Sequence, residues 1–350
     1  MINVSIIVPC YNQEKYIDNC MDSLLHQTLD NIEIILVNDA SKDSTLEIVR
    51  KYEAEYEHVV VVDSKVNVRP GGARNLGMDI ARGKYIGFVD PDDWVDETMF
   101  EKLYRLAEEH NYDMTTSYTA RINKTFDGAA VTIDDDIVIA EQIEGGKQAF
   151  YQKSYEIKPG SGKVLFSVWD SIYKREFLEK NAIRFPEKIF YEDGVFRFLA
   201  DYLKQSQGIV EEVLYYYLIN DTSVSSARND VSVYENLLVS LEDLVREIRE
   251  RGLLKKHRAE IEKYFIMRYY HGMYMLLGRF SKPPIVLLKK LSQFMLKHFP
   301  NYQRNIHYRD GEELNTFVLE ILALNDTDPK QLWKLIQSSK EVREIIQGNF

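Results

Sequence analysis

Short apolar runs alternate with helical spacing of apolar residues over the first 110 positions of the chain. Runs of β-branched residues predict buried strands, and apolar residues three and four positions apart predict amphipathic helices. The predicted strands are Val4–Val8, Ile32–Val37, Val59–Val62 and Tyr85–Val89. The predicted helices are Gln13–Gln27, Ser44–Glu55, Ala73–Ala81 and Glu97–Glu109. This alternation predicts an α/β fold with a Rossmann-like, mostly parallel central sheet and helices on both faces.

The pattern changes twice further along the chain. Residues 111–229 mix strand and helix signals, whereas residues 230–350 show helical spacing almost throughout. The sequence therefore predicts three regions, at 1–110, 111–229 and 230–350, of which the last is an α-helical C-terminal domain.

The composition is that of a globular protein with a sizeable core. Of 350 residues, 45% are hydrophobic and 28% are charged, and the formal net charge is −11. Because nucleic acid binds basic faces, we expect no nucleic-acid partner. Two cysteines cannot build a disulfide framework. The first residues form a strand pattern rather than a signal segment, and every stretch of about 20 residues contains charges. We therefore expect a cytoplasmic protein.

Positive charge is concentrated in residues 251–309, which contain 13 Lys and Arg but only two Asp and Glu. Apolar and aromatic residues are interleaved with these charges, and Pro283-Pro284 interrupts the pattern, which predicts two basic amphipathic helices. One interpretation is a helical subdomain with a solvated basic face. The other is a surface that contacts anionic lipid or an anionic polymer.

Polar clusters follow each of the four predicted strands, at 9–12, 38–43, 67–75 and 90–94. Each cluster alone is compatible with an ordinary turn. Because the carboxyl ends of parallel strands meet at one edge of a sheet, where ligands bind, the four clusters together predict a binding site at that edge.

Three carboxylates, Asp90, Asp92 and Asp93, follow the fourth predicted strand. Closely spaced carboxylates repel one another and favour a counter-cation. Hard oxygen ligands suit Mg²⁺ or Mn²⁺, which are commonly shared with the phosphates of a substrate. The alternative is an acidic cluster at the start of the helix near Glu97.

The segment after the third predicted strand has the residues of an anion-binding site. It begins at Asn67, and Gly71-Gly72 would expose backbone N–H groups before the helix predicted at Ala73. Arg74 adds a guanidinium suited to phosphate. The alternative is a flexible turn with a surface arginine.

The first two strand ends suit a nucleobase. Asp39 provides an acceptor for the imide N–H of uracil, and Tyr11 provides a ring against which a base packs. The alternative is that Asp39 caps a turn and Tyr11 fills a crevice.

A second acidic pair, Glu192-Asp193, occurs much later in the chain. A carboxylate on another wall of a metal-bound leaving group suits a general base, and the alternative is an acidic pair at a helix N-terminus. Trp169 and Tyr191 offer rings that could stack on a sugar, although core packing is the default for such side chains.

Five motifs occur in a characteristic order. They are Val-Ser-Ile-Ile-Val-Pro-Cys-Tyr-Asn at 4–12, Val-Asn-Asp-Ala-Ser-Lys-Asp-Ser-Thr at 37–45, Gly-Gly-Ala-Arg-Asn-Leu-Gly at 71–77, Gly-Lys-Tyr-Ile-Gly-Phe-Val-Asp-Pro-Asp-Asp-Trp at 83–94 and Tyr-Glu-Asp at 191–193. Over residues 1–225 the chain thereby resembles the family-2 nucleotide-sugar glycosyltransferases. It looks most like bacterial enzymes of capsule, exopolysaccharide and teichoic-acid assembly.

The resemblance implies a GT-A fold, with a nucleotide-sugar-binding half at 1–110 and an acceptor-binding half at 111–229. Asp90 and Asp92 match the Asp-x-Asp motif that holds ribose and a metal, although Pro91 stands where Ser is common. Asp193 matches the catalytic base. The implied donor-binding residues are Pro9, Tyr11, Asp39, Asn67, Arg74 and Asp90, and the expected acceptor residues are Trp169, Tyr191 and Glu192.

The implied function is metal-dependent, inverting transfer of a sugar from a UDP-sugar to a hydroxyl of a glycan, polyol-phosphate or lipid-linked acceptor. Residues 251–309 would then hold the enzyme at the inner face of the membrane, or instead form a homo-oligomer contact or an acceptor cradle. A sugar nucleotidyltransferase would need a Gly-rich basic loop in place of residues 9–12. The third interpretation, a non-catalytic nucleotide- or carbohydrate-binding module, conflicts with intact Asp90, Asp92 and Asp193.

Overall fold

In the computed structural model the chain folds into two compact units. One unit comprises residues 1–156 and 165–220, and the other comprises 157–164 and 221–350. The predicted region boundaries near 110 and 229 stay a prediction. The residues that the structure describes are 1–123, 137–143, 147–152, 167–219, 231–266, 280, 282, 284–305 and 328–338.

The first unit is built on a ten-stranded sheet. Its strands are β1 (Val4–Cys10), β2 (Ile32–Asp39), β3 (Val59–Ser64), β4 (Tyr85–Phe88), β5 (Trp94–Val95), β6 (Met114–Asn123), β7 (Ile137–Ile143), β8 (Lys147–Gln152), β9 (Ser171–Lys174) and β10 (Gln207–Ile219). Their order is β3-β2-β1-β4-β9-β6-β10-β5, with β8 paired to β6 and β7 paired to β8.

The strands β3, β2, β1 and β4 run parallel to one another. Every residue of β1 and β2 is buried, as expected for parallel strands with both faces covered. The predicted α/β fold with parallel central strands is confirmed. Antiparallel pairing begins at β9, which lies between β4 and β6.

Helices cover this sheet, and the first four of them correspond to the helices predicted within residues 1–110. They are α1 (Ile17–Leu25), α2 (Thr45–Glu55), α3 (Arg69–Ile80), α4 (Met99–His110), α5 (Arg175–Lys180) and α6 (Asp193–Leu203). The buried residues of α1 and α4 follow the predicted amphipathic spacing and join the core of β1 and β2.

The start of α3 differs from the prediction, because the helix begins at Arg69 rather than at Ala73. Gly71 and Gly72 are therefore buried helical residues and not an exposed anion-binding turn. A Cβ on Gly71 would lie 2.2 Å from the Pro186 carbonyl oxygen. This glycine permits the close approach of another segment of the chain.

The second unit is helical over its described residues. Its elements are α7 (Val231–Glu250), α8 (Leu253–Lys256), α9 (Arg258–Ile266), α10 (Ile285–His298), a 3₁₀ turn (Tyr302–Arg304) and α11 (Pro329–Ser338). The helix expected after Pro283-Pro284 is thus found as α10, whereas 267–279 and 306–309 of the basic stretch lie outside the described residues. No helix in the described part of the chain has the length and apolarity needed to cross a membrane.

Candidate active site

The carboxyl ends of β1 and β2 form the first part of the site. The two strands are in parallel register, with Pro9 opposite Val37, so Pro9 and the nearby Asp39 lie at the same edge. The loops that follow are tied together, because the Lys42 N–H donates to Asn12 Oδ1 at 2.8 Å. Tyr11 is 39% exposed, which leaves part of its ring open to a ligand.

The Asp39 carboxylate is buried and caps helix α3. Its Oδ1 accepts the backbone N–H of Val68 at 2.6 Å, and the carboxylate also accepts the backbone N–H of Arg69. Asn67 Nδ2 donates to the Asp39 carbonyl oxygen at 3.2 Å. Burial raises the pKa of Asp39 despite these bonds. Asp39 thus binds the backbone at the start of a helix rather than capping a turn, and uracil recognition by Asp39 stays a prediction.

Arg74 joins the two acidic motifs. Its Nη2 donates to Asp90 Oδ1 at 2.7 Å, and its Nη1 donates to Glu192 Oε1 at 2.6 Å. The side chain is 5% exposed, so this is a buried bridge and not a surface arginine. Its Nε has no hydrogen-bond partner among the described residues. Arg74 thus defines one edge at which both acidic motifs meet.

Glu192 and Asp193 occupy the start of α6 but differ in environment. Glu192 is buried, and burial raises its pKa to about 7, an effect that Arg74 opposes and the charge of Asp193 reinforces. Asp193 is half-buried and accepts the Gly194 N–H at 2.7 Å. Tyr191, which precedes the pair, has a left-handed φ of 65°, a backbone conformation that costs about 1–3 kcal/mol in a residue other than glycine. Glu192 therefore belongs to the frame of the site, and its acceptor role stays a prediction.

The Asp93 side chain is fully buried, whereas Asp90 and Asp92 are only half-buried. Its carboxylate accepts the Tyr215 hydroxyl at 2.6 Å and the Leu218 N–H at 2.7 Å. The same hydroxyl accepts the Asp90 N–H at 3.1 Å. Burial and the charges of Asp92 and Asp90 raise the pKa of Asp93. Asp93 therefore shapes the loop, while Asp90 and Asp92 remain half-buried.

The donor set fits a metal ion that is shared with a substrate. Within the described ranges, no three His, Cys, Asp or Glu side chains lie together as a complete metal site. Asp90 and Asp92 offer two hard carboxylates at the strand end. Mg²⁺ is typically held by one or two carboxylates together with phosphate oxygens and water, so these two residues suit it.

Trp169 packs against the hydrophobic core beside the acidic loop, and its acceptor role stays a prediction. Its ring stacks on Tyr215 at 4.2 Å between centroids and on Tyr217 at 5.7 Å. Tyr215 in turn holds the acidic loop through Asp93. Tyr215 is not among the predicted site residues, although alternation along a strand places it on the same face as Tyr217.

The sequence model of the family "Glycosyl transferase family 2" matches residues 5–181 of this chain. The chain belongs to glycosyl transferase family 2. It is 32% identical over 267 residues to EpsH of Bacillus subtilis, covering 75% of this chain and 74% of EpsH. The predicted enzyme class, a glycosyltransferase, is confirmed.

Two further similarities extend over nearly the whole chain. The poly(ribitol-phosphate) beta-glucosyltransferase of Bacillus spizizenii is 28% identical over 99% of this chain, which spans 52% of that relative. The structure of S. aureus TarS in complex with UDP-GlcNAc matches with a TM-score of 0.69 at 20% identity, over 99% of this chain and 92% of that one. The structural likeness confirms the expected GT-A fold of this family-2 member.

Proposed function

We propose that this family-2 glycosyltransferase transfers a sugar from a UDP-sugar, with Mg²⁺ or Mn²⁺ and with inversion, during synthesis of a cell-surface polysaccharide. The observation that supports this most is the Arg74 bridge. It holds Asp90, beside the second metal-suited carboxylate Asp92, at the same edge as the Glu192-Asp193 pair. The side of the site with Asp90 and Asp92 thus suits a diphosphate, and the side with Glu192 and Asp193 suits a general base.

The donor end of the site is proposed to hold uridine at the ends of β1 and β2. The ring of Tyr11 and the backbone at Pro9 would border the base, and Asp39 would accept its imide N–H through lone pairs that the helix cap leaves over. Asn67 lies beside Asp39. The TarS structure, which contains UDP-GlcNAc, supports a UDP-sugar as the donor class.

The reaction proposed is a single displacement. Asp193 takes the proton of the acceptor hydroxyl while the acceptor oxygen bonds to the anomeric carbon and the bond from that carbon to the diphosphate breaks. UDP leaves, and the configuration inverts because attack comes from the opposite face. A divalent ion held by Asp90 and Asp92 would neutralise charge on the leaving diphosphate. The buried Arg74 keeps Asp90 and the segment of Asp193 at a fixed spacing.

The acceptor is proposed to be a glycan, a polyol phosphate or a lipid-linked saccharide that lies against Trp169 and Tyr191. Trp169 is half-buried and offers an aromatic face to a sugar or polyol chain. The name of the Bacillus spizizenii relative, a poly(ribitol-phosphate) glucosyltransferase, supports the polyol-phosphate class among these acceptors.

Residues 251–309 are proposed to contact anionic lipid at the inner face of the membrane. In the described part of this stretch, Lys290 pairs with Glu235 at 2.5 Å and Lys297 with Glu242 at 3.0 Å, so part of its charge is balanced within the helical unit. Sedimentation with anionic and with neutral phospholipid vesicles at low salt tests the contact. Pelleting with neither vesicle would contradict it, and size-exclusion chromatography tests the homo-oligomer alternative.

A donor panel tests the proposed function. Thermal shift and UDP release are measured with UDP-glucose, UDP-galactose, UDP-N-acetylglucosamine, UDP-glucuronate and GDP-mannose, with Mn²⁺ or with a chelator. We expect one UDP-sugar to raise the melting temperature and to be turned over only with the metal. Asp92→Ala should lose both effects. Equal responses with Mn²⁺ and with chelator would contradict the proposed metal dependence. A response to GDP-mannose alone would contradict the proposed UDP-sugar donor.

A further inference from the structure

Arg197 lies on α6 one helical turn after Asp193, and residues four apart share a face of a helix. Its side chain is fully buried and is among the largest such side chains in the described structure. We propose that Arg197 is a positioning residue for Asp193, which it holds at a fixed place relative to the wall formed by Trp169. This inference rests on the proposed function, since it takes Asp193 as the base.

The guanidinium of Arg197 fastens α6 to the segment 167–171. Its Nη1 donates to the Ser167 carbonyl oxygen at 2.8 Å and to Asp170 Oδ1 at 3.0 Å, with Ser171 Oγ at 3.2 Å. All these acceptors flank Trp169 in the sequence. The arginine therefore connects the helix that carries the base to the segment that carries the aromatic wall.

The segment 167–171 is itself anchored to the sheet. The Asp170 carbonyl oxygen accepts the Ser117 N–H of β6 at 2.9 Å, and its Oδ1 accepts the Ser171 hydroxyl at 2.8 Å. Asp170 is 2% exposed. The bonds of Arg197 therefore add, to the apolar packing of α6, a directional connection between that helix and an anchored segment.

The charges of this cluster are balanced. Arg197 Nε donates to Asp201 Oδ2 at 3.0 Å, and Lys204 Nζ donates to Asp201 Oδ1 at 2.7 Å. Two cations thus face the two carboxylates Asp170 and Asp201. Replacing such buried ion groups by apolar side chains is often neutral or stabilising, so stability alone explains the cluster poorly. The fork of a guanidinium fixes direction as well as distance, which suits a positioning role.

A continuous line of contacts runs from this cluster to the acidic loop. Trp169, next to Asp170, stacks on Tyr215, and the Tyr215 hydroxyl binds Asp93. Loosening the Arg197 contacts would therefore displace Asp193 relative to the carboxylates of the leaving-group side. A displacement of about 1 Å at a reacting group lowers a rate by about 100-fold.

The test uses Arg197→Lys and Asp170→Asn in the full chain. The probe is the UDP-sugar that the wild type turns over in the donor panel, with Mn²⁺ and with water as acceptor. We expect kcat to fall at least about tenfold, while KM and the affinity for UDP stay within about twofold, because only the base is misplaced. The kcat of Arg197→Met should fall further than that of Arg197→Lys.

A matched control is Glu33→Gln at the amino end of β2. Glu33 is 2% exposed and is bonded by Ser5 and Arg82, so its loss also disrupts a buried charge. It should lower the melting temperature and leave kcat unchanged. All variants are assayed well below their melting temperatures.

The double variant of Arg197→Lys and Asp170→Asn sharpens the test. Because both changes break the contact between Arg197 and Asp170, the loss of kcat in the double variant should be smaller than the product of the two single losses. Values of kcat within twofold of the wild type in both single variants would overturn the positioning role and leave the proposed function standing. A parallel loss of kcat and UDP affinity would also overturn it. A wild type that turns over no UDP-sugar would overturn both proposals.

Discussion

Arg74→Met removes the cation that bridges Asp90 and Glu192 while keeping a side chain of similar length. Arg74 is 5% exposed, and its two bonds are 2.6 and 2.7 Å long. The carboxyl of Glu192 is then buried without its counter-charge. The effect of Arg74→Met on stability should depend on pH, because Glu192 can avoid the buried charge by binding a proton.

The magnitude follows from the pKa of Glu192, which burial raises from 4.5 to about 7. For an acid with a raised pKa, the stabilisation is complete below pH 4.5 and is lost as the pH rises to about 7. At about 1.4 kcal/mol for each pKa unit, this loss is about 3 kcal/mol in the wild type. Without Arg74 the pKa rises further, so the variant continues to lose stability above pH 7.

The expected difference in the free energy of unfolding between Arg74→Met and the wild type is therefore small at acidic pH and large at alkaline pH. At about pH 6 both carry a neutral Glu192, and the variant should lose about 1–3 kcal/mol from broken hydrogen bonds. Toward about pH 9 the difference should approach about 3–5 kcal/mol, which is typical of a buried charge that has lost its partner.

Urea unfolding at a series of pH values, in the presence of a chelator, measures this difference. Glu192→Gln is the matched control, since it removes the titrating group and keeps the size. In that background Arg74→Met should have the same effect at every pH. A difference that stays constant between about pH 6 and 9 with Glu192 intact would refute the reasoning, because Glu192 would then not carry the buried charge.

Two further substitutions test the frame of the site. Tyr215→Phe removes the hydroxyl that bonds Asp93, and the free energy of unfolding measured in urea should fall by about 1–3 kcal/mol; an unchanged value would contradict the bond. Gly71→Ala places a Cβ 2.2 Å from the Pro186 carbonyl oxygen and should lower both stability, by about 1–3 kcal/mol, and UDP-sugar turnover. Gly252→Ala adds a Cβ with nothing within 4 Å, and its φ of 68° makes it a control for backbone strain that should leave turnover unchanged; equal turnover in both variants would contradict the close approach.

The four parallel strands β1 to β4 were predictable because they are continuous apolar runs, whereas β5 to β10 were not predicted. Both β1 and β2 were located from such runs, and the structure extends β1 to the buried Cys10 and β2 to the polar Asp39. These local patterns need no tertiary information. The clustering of polar residues after each strand predicted the edge at which Asp90 and Asp39 lie, because the parallel order of the strands places their ends together.

Long-range contacts were not predictable from the same patterns. Gly71 reads as a turn signal in sequence, but its place inside α3 depends on the approach of Pro186 from a distant segment. The bridge between Arg74 and Glu192 joins residues 118 positions apart. Both residues were recognised as candidates, yet only the folded chain shows that they bind each other. The same holds for Arg197, whose partners become neighbours only through the packing of α6.

The proposed transfer reaction makes Asp193 a base and not a donor ligand. The most direct measurement is a comparison of wild type and Asp193→Asn for two quantities, the turnover of the UDP-sugar identified in the donor panel and the affinity for UDP by calorimetry. General-base catalysis contributes about 10²–10⁴ in rate. The account predicts a loss of turnover of that order with UDP affinity within about twofold of the wild type. Turnover equal to that of the wild type would contradict it.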